Sequence, residues 1–257
     1  MTWNPDQYHQ FKAARSAPAR DLQAMLPDLP YARVVDLGCG TGEQAAQLAR
    51  RFPQAEVLGL DSSADMLARA AAKLPNLRFE QGEIQNLSGD FNLMYSNAAL
   101  QWLPDHPRLL ARLWEHLNPG GVLAVQVPAN HDHASHRLLT ETAGEFEAEL
   151  GGFTRFGTAH GASPVLTPAA YAEVLDGLGA ADVTALSRVY PVVLGGAEGL
   201  IEWTKGTALV PYLSRLSEAD GARFLDAYRS KLQAEFPGER VYYAFTRVLF
   251  VATRPEL

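Results

Sequence analysis

The amino-acid sequence predicts an α/β protein with a doubly wound, mostly parallel seven-stranded sheet and a helical cap. Short apolar segments alternate with helical stretches of about ten residues or more, the pattern of parallel strands joined by crossover helices. A glycine-rich turn follows the first apolar segment, at the point where open parallel sheets bind ligands. The expected strands are Arg33–Leu37, Glu56–Asp61, Leu77–Gln81, Phe91–Ser96, Val122–Val127, Asp182–Val193 and Val241–Thr253.

Helices are expected between these strands, where apolar residues recur at helical spacing and capping residues mark the ends. The chain contains neither repeats nor a Ser/Gly-rich linker, so its 257 residues predict a single domain. The predicted helices are Pro18–Leu26, Gly42–Arg51, Met66–Leu74, His106–Leu117, Ala169–Gly179 and, with breaks, Leu200–Leu232. The predicted core comprises about residues 31–128, 168–195 and 239–257, and the cap comprises residues 1–30, 130–167 and 196–238.

Composition excludes several classes of protein. The formal net charge is −7 and no long basic run occurs, so a nucleic-acid partner is disfavoured. No apolar run reaches the roughly 18 residues of a membrane span, so no membrane partner is expected. A secretion signal is not visible, and Cys39 is the single cysteine, which excludes an internal disulfide and a cysteine-based zinc cluster. These features predict a cytoplasmic location.

The most informative motif is V-V-D-L-G-C-G-T-G at Val34–Gly42. Glycines in a strand-to-helix turn let the backbone approach a ligand, and the helix N-terminus offers free N–H groups. Asp36 precedes the turn, where a carboxylate can meet a cationic amine, and Asp61 ends the second strand, where a carboxylate can accept both hydroxyls of a ribose. The alternatives are a purely structural turn and a dinucleotide site, although the latter favours a different glycine spacing.

The string D-L-G-C-G-T-G followed by L-D-S-S resembles the motifs of class I S-adenosylmethionine-dependent methyltransferases. This resemblance implies a Rossmann-like fold with S-adenosyl-L-methionine as cofactor and S-adenosyl-L-homocysteine as product. Asp36 would serve the methionine amino group, Asp61 the ribose and Glu83 the adenine. By position, the residues implied to bind the cofactor are Asp36, Gly38, Cys39, Gly40, Gly42, Asp61, Ser62, Met66, Glu83, Ile84 and Asn97.

A narrower resemblance rests on the string N-A-A-L-Q-W-L-P-D at Asn97–Asp105, on W-N-P-x-x-Y-x-x-F at Trp3–Phe11 and on Glu202–Leu213. These segments resemble bacterial trans-aconitate 2-methyltransferases, which implies carboxyl O-methylation of trans-aconitate or a closely related small polycarboxylate. The sequence departs from that pattern in Thr41–Gln44 and in the histidine-rich segment 131–136.

An anionic acceptor needs no general base, so the resemblance implies catalysis by alignment, with Gln101 and Trp102 as the aligning residues. A tricarboxylate needs several cations or hydrogen-bond donors around it. Each candidate also has a structural interpretation, as a solvated or packed side chain. The candidates for substrate binding are Tyr8, Phe11, Lys12, Arg15, Gln101, Trp102, His131, Trp203, Lys205, Tyr212 and Arg247.

Two other functions stay open at this point. A methyltransferase acting on another small-molecule hydroxyl or carbon acceptor would need a base, which a histidine of the cap could supply. A non-catalytic S-adenosylmethionine-binding protein would keep the glycine turn without turnover. No metal is expected, because His131, His133 and His136 lack matching carboxylates. The sequence is compatible with a monomer or a weak dimer.

Overall fold

A computed structural model of the chain describes residues 16–70, 72–153, 163–205 and 208–256. The strands form one seven-stranded sheet in the order β3-β2-β1-β4-β5-β7-β6. Strands β1 to β5 are parallel to one another, and β7 runs antiparallel to β5. The predicted doubly wound, mostly parallel sheet is therefore confirmed. The strands are β1 Arg33–Leu37, β2 Glu56–Asp61, β3 Leu77–Gln81, β4 Phe91–Asn97, β5 Leu117–Pro128, β6 Asp182–Leu194 and β7 Val241–Thr253.

Several helices begin at a residue whose side chain accepts a hydrogen bond from one of the first backbone N–H groups. Ser63, Thr167 and Ser217 each accept a hydrogen bond from the backbone N–H three residues later. Short 3₁₀ turns follow β3 and β4, at Ile84–Asn86 and Leu100–Trp102. The described helices are α1 (residues 16–25), α2 Glu43–Arg51, α3 Ala64–Ala68, α4 His106–Glu115, α5 Ala134–Glu145, α6 Pro168–Gly177, α7 Gly196–Lys205, α8 Val210–Leu213 and α9 Glu218–Glu235.

The chain forms two compact units. The sheet unit comprises Ser16–Pro128, Pro164–Arg188 and Arg247–Leu257, and the helical unit includes Ala129–Ser163 and Val189–Thr246. The boundaries between the units fall within β6 and within β7. Residues 16–30 belong to the sheet unit, whereas the sequence assigned them to the cap. The reason is burial, because Leu22 and Leu26 of this segment pack into the core of the sheet unit.

One core cluster of the sheet unit lies on the face of the sheet that α1 and α2 cover. There Val34, Leu93 and Val122 of neighbouring strands pack against Leu22 of α1 and Leu48 of α2. Parallel strands buried in this way are continuous apolar runs, which is why the sequence predicted their limits closely. None of the helices in the described part of the chain has the length and apolar composition of a membrane-spanning segment.

Two helix predictions differ from the structure. The helix predicted over Met66–Leu74 ends at Ala68. The predicted end at Leu74 is disfavoured because Pro75 follows it, and the Asn76 side chain is hydrogen-bonded to the backbone carbonyls of Ala49, Phe52 and Ala55. Helix α5 lies within the cap segment 130–167, where the sequence predicted no helix. Its buried positions include Ser135, Leu139 and Thr142, so the helical period is present but two of these three residues are polar.

A buried histidine ties α4 to the segment that follows β4. The imidazole of His106 is hydrogen-bonded through Nδ1 to the hydroxyl of Tyr171 and through Nε2 to the carbonyl of Leu100, the latter at 2.9 Å. Since a carbonyl can only accept, Nε2 carries the proton and Nδ1 accepts from the hydroxyl. Burial lowers the pKa of His106, so the ring is held in its neutral form.

Replacing His106 should therefore destabilise the sheet unit. His106→Phe keeps the ring volume but leaves the Leu100 carbonyl and the Tyr171 hydroxyl without their partner, which should lower the free energy of unfolding by about 2–4 kcal/mol. Tyr171→Phe breaks one bond and should cost less. The wild-type protein should lose stability as the pH falls below about 6.5, because the unfolded state binds the proton first. Urea unfolding at pH 7.5 and 5.5 measures both effects, and a deficit in His106→Phe that does not shrink at pH 5.5 would contradict this role.

Candidate functional site

The residues that the sequence predicted for the cofactor lie along the carboxyl edge of the parallel strands. In the strand order 3-2-1-4-5, the connections leave β1 and β4 in opposite directions, which opens a crevice at their carboxyl ends. Asp36 is the last residue but one of β1, Asp61 ends β2, and Asn97 ends β4. The fold therefore brings these three side chains to the same edge of the sheet.

The three glycines of the turn after β1 have different physical roles. Gly38, Gly40 and Gly42 all have positive φ angles, of 75°, 55° and 78°, a conformation that costs other residues energy. A Cβ atom at Gly38 would collide with the methyl group of Ala99, and one at Gly42 would lie 2.5 Å from the ring of Phe79. Among the described residues, nothing lies within 4 Å of a Cβ placed at Gly40. Gly40 therefore faces open space where a ligand can approach.

Asp61 fixes the shape of this turn. Its Oδ2 atom accepts a hydrogen bond from the backbone N–H of Gly40 at 2.8 Å, and its Oδ1 atom accepts one from Ser63 at 2.9 Å. The carbonyl of Leu60 accepts two further bonds, from Gly38 at 2.8 Å and from Cys39 at 3.0 Å. Each carboxylate oxygen of Asp61 keeps further capacity to accept a hydrogen bond. The side chain can therefore hold the turn and accept ribose hydroxyls at the same time.

Asp36 is a buried carboxyl group with an unfilled bonding site. It is 1% exposed, and its Oδ2 atom has no hydrogen-bond partner among the described residues. Burial raises the pKa of Asp36 to about 7, and the neighbouring charge of Asp61 adds to the increase, while a hydrogen bond from the backbone of Ala45 opposes it. A buried carboxylate without a countercharge is unfavourable, so this site suits a cationic ligand group such as an ammonium.

The side of the edge formed by β2 and β3 offers an apolar platform. Met66 lies in α3 directly after β2, and its side chain is 43% exposed although it is large and apolar. Ile84 is buried in the 3₁₀ turn after β3, while Glu83 and Ser62 are exposed beside these elements. An exposed apolar side chain next to polar groups is the environment that an adenine ring needs.

The segment after β4 carries the residues predicted to align the acceptor. The Oδ1 atom of Asn97 and the Oε1 atom of Gln101 are buried, and neither has a hydrogen-bond partner among the described residues. The Nε2 atom of Gln101 donates to the carbonyl of Ala98 at 2.7 Å. Ala98 has a positive φ of 57°, a strained conformation for a residue with a side chain, and Trp102 is 43% exposed. The turn therefore presents unfilled polar atoms beside an exposed ring.

Four of the predicted substrate-binding residues are described within the helical unit. Trp203 is buried and packs edge-on against Phe245, with ring centroids 5.0 Å apart, and Tyr212 is buried and stacks on Phe224 at 5.7 Å. Lys205 forms a 2.6 Å ion pair with Glu202, and His131 is exposed beside Asp132 at 3.4 Å. Their contact with a substrate stays a prediction. Packing and ion pairing already account for much of their surroundings.

The remaining predicted residues belong to two groups. Arg247 is buried in β7 of the sheet unit, opposite Pro128 of β5. The four from the N-terminal segment lie outside the described residues; they are Tyr8, Phe11, Lys12 and Arg15.

The histidines of the helical unit have structural contacts. The ring of His133 accepts the backbone N–H of Ser135 at the start of α5 and stacks on Phe236 at 5.9 Å. His136 lies 3.3 Å from the hydroxyl of Tyr243. In the described ranges, no group of three or more His, Cys, Asp or Glu side chains is arranged to hold a metal ion.

One polar residue at this edge was missed by the sequence analysis. Gln126 of β5 is buried, and its Nε2 atom has no hydrogen-bond partner among the described residues. It lies opposite Asn97 of β4. The signal in the sequence was the single polar residue in the apolar run Val122–Val127.

Dinucleotide-binding proteins share this kind of sheet. The buried carboxyl group of Asp36, which has an unfilled bonding site, is better explained by a ligand that carries an amino-acid ammonium group. The fold and the site together define a class I S-adenosylmethionine-dependent methyltransferase. Residues 34–121 match a family model described as a methyltransferase domain. A trans-aconitate 2-methyltransferase of Deinococcus radiodurans is 87% identical over 258 residues, covering 100% of both chains. Another, of an Azoarcus species, is 40% identical over 259 residues, covering 98% of this chain and 99% of the relative. The chain belongs to the trans-aconitate 2-methyltransferase family.

Solved structures share the fold at low sequence identity. Phosphoethanolamine N-methyltransferase 2 of Haemonchus contortus, solved with S-adenosylhomocysteine, has a TM-score of 0.57 and 19% identity, covering 93% of this chain and 53% of that chain. Geranyl diphosphate C-methyltransferase of Streptomyces coelicolor, also solved with S-adenosylhomocysteine, has a TM-score of 0.54 and 17% identity, covering 96% and 82%. These similarities confirm the fold class of the sheet.

The open space at Gly40 predicts a steric effect on cofactor binding. Gly40→Ala should weaken the binding of S-adenosylhomocysteine at least about tenfold, which corresponds to 1.4 kcal/mol, because the added methyl group enters the ligand's space. Gly179→Ala is the matched control, since Gly179 has a φ of 80° and an equally open surrounding. Both variants should lose about 1–2 kcal/mol of stability from backbone strain. Calorimetric titration and thermal unfolding separate the two effects, and equal affinity losses in both variants would contradict a ligand above Gly40.

The raised pKa of Asp36 predicts that cofactor affinity depends on pH. Below pH 7 the carboxyl group is protonated and must lose its proton before it can pair with an ammonium. The dissociation constant of S-adenosylhomocysteine should therefore fall as the pH rises from 5 to 7 and then level off. In Asp36→Asn the binding should be weaker and independent of pH over this range. Calorimetry at pH 6 in two buffers of different ionisation enthalpy should reveal proton release by the wild type, and its absence would contradict this assignment.

Proposed function

We propose that this chain methylates a carboxyl group of trans-aconitate with S-adenosyl-L-methionine, which yields the monomethyl ester and S-adenosyl-L-homocysteine. The observation that carries the proposal is the 87% identity, over the whole length of both chains, with a curated trans-aconitate 2-methyltransferase. The site agrees with it, because the sheet edge offers a carboxyl group for an ammonium, a carboxylate for a ribose and an apolar platform for an adenine.

Methyl transfer to a carboxylate requires little or no proton transfer by the protein. S-adenosyl-L-methionine supplies an electrophilic methyl group bound to a sulfonium sulfur. A carboxylate oxygen of the acceptor is already an anion at neutral pH, so it needs no general base. The residues of this chain therefore act by holding the acceptor oxygen in line with the methyl group and by excluding water.

Two groups near the site that could act as a nucleophile or a base, Cys39 and His106, are not available for that role. Burial and the nearby carboxylates of Asp36 and Asp61 raise the pKa of the Cys39 thiol to about 12, so it stays protonated and is a poor competing methyl acceptor. Both ring nitrogens of His106 are engaged in hydrogen bonds. The local environment thus favours methyl transfer to an anion that the substrate itself brings.

The residues that bind the acid are also part of the proposal. Gln101 and Trp102 present an unfilled amide oxygen and an exposed ring at the end of β4. A trianion also needs cations or donors, and the candidates are Arg15, Arg247, Lys205 and His131, with Tyr8, Phe11, Trp203 and Tyr212 as aromatic contacts. A cytoplasmic location, the lack of a nucleic-acid partner and a monomeric or weakly dimeric state also stay predictions.

The proposal can be tested with a panel of acceptors. The purified protein should transfer a methyl group to trans-aconitate far faster than to monocarboxylates, phenols or alcohols, and mass spectrometry should find a single added methyl group. Activity should persist in EDTA, because an anionic acceptor needs no Lewis acid for activation. Turnover of a phenol or another hydroxyl acceptor in place of the acid would favour the alternative that needs a base. Binding of S-adenosylhomocysteine without any turnover would favour a non-catalytic binding protein.

A further inference from the structure

Gln126 is a buried polar side chain that none of the contacts described above explains. It is 1% exposed in β5, and its Nε2 atom finds no hydrogen-bond partner in the described part of the chain. A buried amide hydrogen without an acceptor is unfavourable, and native proteins keep such groups where a ligand or an ordered water completes them. The position of Gln126 in the sheet shows where that acceptor would lie.

The register places Gln126 on the same face of the sheet as the carboxyl group of Asp36. Asp36 lies opposite Tyr95, and Tyr95 lies opposite Ala124. Residues two apart along a strand share a face, so Asn97 and Gln126 lie on that face, two positions nearer the carboxyl edge. The apolar core of this face therefore ends at β4 and β5 in a pair of neighbouring side-chain amides.

The backbone holds this pair in place. The N–H of Ala98 donates to the carbonyl of Gln126 at 2.9 Å, which ties the turn after β4 to the end of β5. On that turn Asn97 and Gln101 each keep a buried amide oxygen without a partner in the described residues. One donor and two acceptors, all buried and unfilled, thus belong to two adjacent strand ends. These atoms could accept the polar groups of a ligand without breaking a hydrogen bond of the described residues.

We propose that the Nε2 group of Gln126 donates a hydrogen bond to a carboxylate oxygen of the acceptor acid and so helps to select it; this inference rests on the proposed function. Gln126 is two strands away from Asp36, about 10 Å at the usual strand spacing. The competing partner for this amide is the methionine carboxylate of a cofactor whose ammonium meets Asp36, and the affinity for S-adenosylhomocysteine alone distinguishes the two. A neutral amide binds a carboxylate without neutralising it, so the acceptor stays nucleophilic.

Two substitutions test the proposal by binding rather than by turnover. Gln126→Glu places a negative charge where the carboxylate binds, and it should weaken the binding of trans-aconitate to the protein saturated with S-adenosylhomocysteine by at least about tenfold. Gln126→Met removes the donor at similar volume and should weaken it by about three- to tenfold. The affinity for S-adenosylhomocysteine alone should change less than about twofold. Gln54→Glu, a charge change at an exposed residue, is the matched control and should alter neither affinity.

Thermal unfolding completes the test. Because Gln126→Met breaks no hydrogen bond of Nε2 seen in the structure, its Tm should equal or exceed that of the wild type. A lower Tm with equal losses for both ligands would overturn the proposal and assign Gln126 a structural role. A selective loss of S-adenosylhomocysteine binding, or unchanged acid binding in both folded variants, would also overturn it.

The same titrations separate this inference from the proposed function. Wild-type protein that binds trans-aconitate as tightly as the folded Gln126 variants do contradicts the inference alone. If the wild type ignores trans-aconitate but methylates another acid, the proposed substrate is wrong, and the variants are compared with that acid instead. A wild type that binds no carboxylic acid contradicts both proposals.

Discussion

The site depends on one carboxylate that joins two loops. Asp61 ends β2, and its two oxygens accept hydrogen bonds from Gly40 in the turn after β1 and from Ser63 at the start of α3. The first bond shapes the glycine turn, and the second places α3, which carries Met66. A ligand that binds Asp61 therefore meets a glycine turn and an apolar platform whose geometry the same side chain has already fixed. Hydrogen bonds to a charged acceptor are strong enough for this role.

The second constraint is that this edge of the sheet keeps hydrogen-bonding capacity unfilled. Asp36, Asn97, Gln101 and Gln126 each hold a buried polar atom that lacks a partner among the described residues. Such atoms lower the stability of the free protein, but they require no loss of an internal bond when a ligand arrives. Four such atoms lie at one edge, beside a core that is otherwise apolar. This pattern indicates a place where the protein gives up stability in order to bind a ligand.

How far the sequence predicted the structure follows from the kind of signal in each segment. Buried parallel strands are apolar on both faces, so β1 and β2 have the limits that were expected. Strand β3, which is only partly buried, and strand β7, which is antiparallel to β5, also have the expected limits. The glycine turn and the carboxylates after β1 and β2 were found because chemistry restricts both the residue type and the spacing. The sequence did not predict helix α5 because Ser135 and Thr142 lie on its buried face, and polar residues there hide the helical periodicity of apolar residues.

Other features could not be read from the sequence because they arise from contacts between residues that are far apart in the chain. Gln126 stands out in the sequence only as a polar residue in an apolar run, and its place beside Asn97 follows from the strand register. Likewise His106 and Tyr171 are far apart in the chain and meet only through the packing of α4 and α6. Leu22 also packs into the core of the sheet unit, although the sequence predicts that its helix belongs to the cap.

The absence of a demanding proton transfer explains how such a site can be built mainly from backbone turns and amides. General-base catalysis would need a group whose pKa lies near the working pH and whose lone pair is exposed to the substrate. Here two buried groups that could act as a base or a nucleophile are unavailable, since the ring of His106 is hydrogen-bonded to Tyr171 and Leu100, and the pKa of Cys39 is raised to about 12. Asp36 has a pKa near 7, yet its neighbours suit it to a cation. An acceptor that arrives as an anion would remove the need for such a base.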